Sequence, residues 1–201
     1  MFNPRGLYAI ANGLRADLYE STSAALAGGA RVIQYRDKTL EYARQDAEAA
    51  MLARLCASQD IPLIIDEDIE LALRCGAAGV HLDVEADIAS ARVRLGEHAV
   101  IGVSCLDSID RARRAVDNGA SYVSFGVFYA SPTKPNAPHA RLTTLIEAKS
   151  LGVPVVAIGG ITPDNASPLI AAGADCVAVI SSLFDATDIE AVAREFSQLF
   201  S

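Results

Sequence analysis

Gly119-Ala-Ser-Tyr-Val-Ser124 reads as a helix stop followed at once by a strand. Glycine after a helical run closes the helix, and the short apolar run that follows, Tyr122 to Phe125, has the length and composition of a buried strand. The phrase occurs twice more, as Gly76-Ala-Ala-Gly-Val-His81 and as Gly173-Ala-Asp-Cys-Val-Ala178. Three copies mark three helix-to-strand junctions and supply a frame for the rest of the chain.

Working outward, strands are predicted at Leu7–Ile10, Val32–Tyr35, Pro62–Ile65, Gly79–Leu82, Ala99–Val103, Tyr122–Phe125, Pro154–Ile158 and Cys176–Ile180. Helical spacing fills the intervals at Leu18–Leu26, Leu40–Ala57, Ile69–Cys75, Ile88–Leu95, Ser108–Val116, Leu142–Lys149, Asn165–Ala171 and Ile189–Phe200. The strands are continuous apolar runs, as a parallel sheet covered on both faces requires. Eight strand–helix units in a row predict an α/β protein, a (β/α)8 TIM barrel occupying residues 1–201 as a single domain. A doubly wound open sheet is the alternative, disfavoured because no GxGxxG follows the first strand.

The bulk properties narrow the function. Of 201 residues, 51% are hydrophobic, enough for a sizeable core, and the net charge of -8 argues against a nucleic-acid partner. No apolar run approaches the ~20 residues that cross a bilayer. Met1 to Arg5 is unlike a secretory signal, and Cys56, Cys75, Cys105 and Cys176 are scattered in apolar segments without metal-like spacing. The expectation is a cytoplasmic protein without disulfides, with a homo-oligomer left open.

In such a barrel, function collects at the C-terminal ends of the strands. Those ends carry Gln34-Tyr-Arg-Asp-Lys38, Asp66-Glu-Asp68, His81 to Asp87, Ser104, Ser131-Pro-Thr-Lys134, Gly159-Gly-Ile-Thr162 and Ser181-Ser182. Arg36, Lys38 and Lys134 supply cations; Asp66, Glu67 and Glu85 supply carboxylates. Carboxylates repel phosphate unless a cation such as Mg²⁺ bridges them, so the mixture suits a polyphosphate bound with metal. The glycines after strand seven and the serines after strand eight suit a second phosphate. Taken singly, each feature has a plainer reading. Asp66-Glu-Asp68 fits a helix N-terminus, His81 a hydrogen-bonded core histidine, and Gly159-Gly160 a tight turn.

In this order the motifs resemble the thiamine-phosphate synthase family over nearly the whole chain. The resemblance rests on Gly6-Leu-Tyr-Ala-Ile10, Gln34 to Lys38, Ile64-Ile-Asp-Glu67, Gly79-Val-His-Leu82, Gly102-Val-Ser104, Tyr122 to Lys134, Ala157-Ile-Gly-Gly-Ile161 and Ala172-Gly-Ala-Asp175. It implies a transferase that joins hydroxymethylpyrimidine diphosphate to a thiazole phosphate with loss of pyrophosphate. Its partners would be phosphorylated small molecules and its cofactor Mg²⁺. Carried over by motif, Gln34, Arg36, Lys38, Asp66, Ser104 and Lys134 would hold the pyrimidine diphosphate, with Lys134, Arg36 and Lys38 acting on the leaving group. Ser131, Pro132, Thr133, Gly160, Ile180 and Ser181 would hold the thiazole phosphate. The resemblance places the metal on Glu67 and Glu85.

The chain departs from the family twice. The usual Asn-Asp after strand three is Asp66-Glu67 here, and the usual Gly-Gln-Glu-Asp after strand four is a shortened Asp83-Val-Glu-Ala-Asp87. The shortening leaves Asp83 and Asp87 as alternatives to Glu85. Two other functions share the resemblance. A thiazole tautomerase would carry a histidine where Val127 stands, and a barrel that had lost its metal would bind precursors without turning them over.

Overall fold

The computed structural model describes residues 2–39, 41–84, 86–130 and 139–201. Eight parallel strands close into a barrel: β1 (Gly6–Asn12), β2 (Val32–Arg36), β3 (Leu63–Asp66), β4 (Gly79–Leu82), β5 (Val100–Ser104), β6 (Tyr122–Phe125), β7 (Val155–Ile158) and β8 (Cys176–Val179). β1 pairs with β8 through Gly6↔Cys176 to Ala9↔Val179, so the sheet has no edge and the open-sheet alternative falls. Around it run α1 (Leu18–Ala27), α2 (Tyr42–Ala57), α3 (Ile69–Cys75), α4 (Ile88–Leu95), α5 (Ile109–Asp117), α6 (Leu142–Ala148), α7 (Pro163–Ala172), α8 (Ser181–Phe184) and α9 (Ile189–Gln198).

Alternation along each strand divides the apolar residues into two cores. Leu7, Ala9 and Ala11 of β1 face the helices, and with Ile33, Ile65, Val103 and Phe125 they form the larger cluster. Tyr8 and Ile10 face inward and join Val32, Ile64, Tyr122 and Val156 inside the barrel. Both faces of every strand are therefore buried, which is why the strand runs are unbroken in apolar character. Phe2 packs its ring 5.3 Å from that of Tyr122 and covers the barrel's N-terminal end. No described helix is long and apolar enough to cross a membrane.

Helix ends follow the sequence signals, with two additions. Asp68, Asp87, Ser108 and Asp188 cap α3, α4, α5 and α9, each side chain accepting a backbone N–H of the first turn. α7 starts two residues before its expected Asn165, because Pro163 occupies its first position and Asn165 Oδ1 accepts the Thr162 N–H at 2.8 Å. α8 has no counterpart in the sequence reading; at four residues it is too short to show a period.

One glycine makes the barrel interior possible. Gly102 of β5 lies beside Tyr122 of β6 in register, and a Cβ at Gly102 would stand 1.9 Å from Tyr122 Cζ. The phenol can reach the barrel axis only because that side chain is missing. Gly102→Ala should lower the melting temperature and cost about 1–3 kcal/mol, the usual penalty for overpacking a core. An unchanged transition in thermal denaturation would refute this account of Gly102.

Candidate active site

Inward-facing residues of β1 to β6, from Tyr8 and Tyr122 inside the barrel to Asp66 and Ser104 at the C-terminal ends of β3 and β5, form one hydrogen-bonded series. Tyr8 donates to Gln34 Oε1 at 2.8 Å, and Gln34 Nε2 donates to Asp66 Oδ1 at 2.9 Å. On the other side the Tyr8 and Tyr122 hydroxyls lie 2.7 Å apart, and His81 Nδ1 lies 2.9 Å from Tyr122 Oη. His81 Nε2 then faces Ser104 Oγ at 3.2 Å and Ser124 Oγ at 3.4 Å. Tyr8, Tyr122 and Gln34 are 1%, 0% and 3% exposed, so each polar atom of theirs needs a protein partner. Burial pushes both tyrosines well above the ordinary phenol value and keeps them neutral. Burial likewise lowers His81, against the opposing pull of Asp66, Asp83 and Glu67. The reading of His81 as a hydrogen-bonded core histidine therefore holds, with the addition that it adjoins the mouth.

The series surfaces at Asp66. Its Oδ2 is 2.7 Å from Lys38 Nζ and 3.6 Å from Arg36 Nε, and Glu67 Oε2 is 2.6 Å from the same ammonium. Burial works against the Lys38 charge, but the two carboxylates outweigh it and hold the ammonium above its ordinary value. Glu67 has φ +63, and the Asp68 N–H bonds back to Asp66 O at 2.8 Å. This tight turn is unusual for a residue with a full side chain. It separates three consecutive acids: Asp66 and Glu67 meet Lys38, while Asp68 accepts the Leu71 N–H at 2.8 Å as a helix cap. A cavity of ≈ 310 Å³ opens beside them, lined among others by Lys38, Asp66, Glu67 and Tyr42.

The loop that carries Arg36 and Lys38 is fixed from behind by residues the sequence reading passed over. Arg44, on the first turn of α2, donates to Asp37 Oδ2 at 2.6 Å, to Thr39 Oγ1 at 2.8 Å and to Glu48 at 3.0 Å. Tyr35 donates to Glu48 at 2.6 Å. Gln45 Nε2 donates to Thr39 O at 2.7 Å, and Asp37 Oδ1 accepts the Thr39 N–H at 2.8 Å. Asp37 to Arg44 at this spacing is a loop acid facing the first turn of a helix, a weak signal but a visible one.

The remaining expected residues divide between two places. Gly160 and Ser181 lie at the ends of β7 and β8, with Ile180 leading into α8. Gly159 and Gly160 both have positive φ, and a Cβ on Gly160 would stand 2.6 Å from the carbonyl oxygens of Tyr129 and Ala130. This turn therefore passes directly against the loop leaving β6, and the tight-turn reading is part of its role. Asp87 Oδ1 is committed to the α4 cap at 2.9 Å, and Asp83 Oδ1 accepts the Val84 N–H at 2.8 Å. Glu85, Ser131, Pro132, Thr133 and Lys134 lie outside the described residues. Cys56, Cys105 and Cys176 are buried free thiols and Cys75 is half-buried.

The Asp37 carboxylate gives this loop a pH signature. Its side chain is 2% exposed, yet its pKa is lowered, because the bonds from Thr39 and Arg44 outweigh the cost of burial. A depressed carboxyl contributes stability above its unfolded value of about 3.9 and loses it as pH falls through the folded value. Asp37→Asn should therefore melt below the parent at neutral pH, with the gap closing below about pH 4. A gap that stayed constant in circular-dichroism melts down to about pH 3 would remove Asp37 from this role.

Comparison with known proteins agrees with the barrel and its rim. A family model described as "Thiamine monophosphate synthase" matches residues 7–183. The chain is 52% identical over 202 residues to the thiamine-phosphate synthase of Marinobacter nauticus, covering 98% of this chain and 91% of that one. It is 50% identical over 198 residues to that of Chromobacterium violaceum, covering 97% and 96%. Among solved structures, a thiamine phosphate pyrophosphorylase from Pyrococcus furiosus superposes with a TM-score of 0.88 at 31% identity, covering 98% of this chain and 96% of that one. With family motifs at the ends of its strands and relatives matched along almost its full length, the chain belongs to the thiamine monophosphate synthase family.

Proposed function

We infer that this barrel joins hydroxymethylpyrimidine diphosphate to a thiazole phosphate, releasing pyrophosphate and forming thiamine phosphate. The observation that carries the reading is the Lys38 ammonium held between Asp66 and Glu67 beside Arg36. The rim thus has a seat where two carboxylate oxygens converge on one positive charge, with cations at hand for an anionic ligand.

The Glu67 carboxylate of this seat is also a donor of the kind Mg²⁺ takes. Carboxylate oxygens are its preferred protein ligands, and it usually keeps waters and substrate oxygens rather than a full protein cage. Glu67 and Glu85 would hold the ion, and the engagement of Asp87 at the α4 cap favours Glu85 over Asp87. Once bound, the ion supplies positive charge to the diphosphate.

The protein's own residues then act by position and charge. Arg36, Lys38 and Lys134 would bind the diphosphate and stabilise the negative charge that grows on it as the C–O bond to the pyrimidine methylene breaks. Gln34, Asp66 and Ser104 would orient the ring, whose amino group helps to delocalise the developing cation. Gly160, Ile180 and Ser181, with Ser131, Pro132 and Thr133, would hold the thiazole phosphate so that its ring nitrogen lies in line with the methylene carbon. No protein nucleophile is required, and holding two substrates in attack geometry supplies much of the acceleration.

Three experiments test this. A chelator should abolish pyrophosphate release and added Mg²⁺ should restore it; full turnover without a divalent ion would sink the metal assignment. In the same protein without substrate, Lys38→Met should bind Mn²⁺ more tightly by calorimetry, because a competing cation has been removed, while binding the diphosphate substrate more weakly. Lys134→Ala should lower kcat about a hundredfold, the usual scale for one lost charge-stabilising donor. A normal kcat with a raised KM for the thiazole phosphate would instead place Lys134 on the second substrate.

A further inference from the structure

The hydrogen-bonded series inside the barrel has one consistent direction, and that direction can be read from its charged end. Asp66, paired with Lys38, offers only acceptors to Gln34, so Gln34 turns its NH₂ to Asp66 and its oxygen to Tyr8. Tyr8 has a single hydroxyl hydrogen and spends it on that oxygen at 2.8 Å. At 2.7 Å from Tyr122, Tyr8 can therefore only accept, and Tyr122 must donate its own hydrogen to it. Tyr122 is then left only as an acceptor for His81 Nδ1 at 2.9 Å, so Nδ1 carries a hydrogen. In the neutral ring Nε2 is then bare, and its single lone pair takes the hydrogen of the nearer hydroxyl, Ser104 at 3.2 Å, with Ser124 farther off at 3.4 Å.

We propose that Tyr8 and Tyr122 are positioning residues that transmit the orientation of the Asp66–Gln34 pair to His81, locking the Nδ1–H tautomer and so turning the Ser104 hydroxyl inward. With its hydrogen committed to His81, the half-buried Ser104 at the mouth presents lone pairs, and the ligand must bring a donor to it. Neither tyrosine is at the surface: Tyr8 is 1% exposed and Tyr122 is fully buried. Among the described residues their hydroxyls meet only the members of this series, so their contribution to binding passes through Gln34 and His81. The consequence for substrate binding rests on the pyrimidine site proposed above; the tautomer does not depend on it.

The test is nitrogen-15 NMR of histidine-labelled protein at pH 8 without ligand, where imidazole is neutral. The His81 signals are assigned by their loss in His81→Asn. The expected result is a protonated Nδ1 and a bare Nε2; a protonated Nε2 in the parent protein overturns the proposal whether or not any variant folds. Tyr8→Phe frees the Tyr122 hydrogen to turn toward His81, so the tautomer should invert to Nε2–H. An unchanged tautomer in a folded Tyr8→Phe protein means the series does not transmit direction, and the proposal fails. In kinetics, Tyr8→Phe should raise KM for the pyrimidine diphosphate up to about tenfold, the value of one neutral hydrogen bond, and leave KM for the thiazole phosphate unchanged. Equal effects on both substrates would reduce Tyr8 to a general structural role. An inverted tautomer with no change in either KM would uphold the relay and refute the placing of the pyrimidine at Ser104.

Discussion

The contact between the Tyr8 and Tyr122 hydroxyls, 2.7 Å apart on the barrel axis, is the constraint on which the mouth depends. A barrel interior is a packed core, and a polar group placed there costs more than it returns unless it is fully partnered. Two phenols, one from β1 and one from β6, solve this by bonding to each other and then outward to Gln34 and His81. The apolar layer below and the charged rim above meet at this pair. Gly102 supplies the space, and Val32, Ile64 and Val156 supply the surrounding walls.

Above that layer, electrostatics takes over from packing. Asp66 has one oxygen in the neutral network and the other on Lys38, so the same side chain ends the first system and begins the second. The Arg44 cluster does for the loop what the tyrosines do for the barrel. It anchors Asp37, Thr39 and Glu48 and thereby fixes the backbone on either side of Lys38.

The barrel was legible because each strand is buried on both faces and each junction is punctuated. Gly76, Gly119 and Gly173 all have positive φ at helix ends, which is the conformation the repeated Gly-Ala phrase predicts. Cys176–Val179 and Gly79–Leu82 could be placed from composition alone, whereas α8 at Ser181–Phe184 could not, since four residues carry no period. The rim residues Gln34, Arg36, Lys38, Asp66, Glu67 and Ser104 were legible as polar groups at strand ends. The two tyrosines were not. Tyr8 and Tyr122 sit inside apolar runs, and nothing in such a run distinguishes a phenol that fills space from one that relays a hydrogen bond. Arg44 was hidden for the opposite reason, since a basic residue on a helix reads as solvated. The division of Asp66-Glu-Asp68 into two rim acids and one helix cap needed the backbone turn at Glu67 to become visible.

Phe2, packed against Tyr122, closes the far end of the barrel. The interior below the two phenols is packed, so a ligand above Tyr8 and Tyr122 is approached from the C-terminal ends of the strands. A molecule seated deep in the mouth cannot depart while another lies over it. For two substrates stacked there, as the proposed reaction requires, depth would set the order of entry and release.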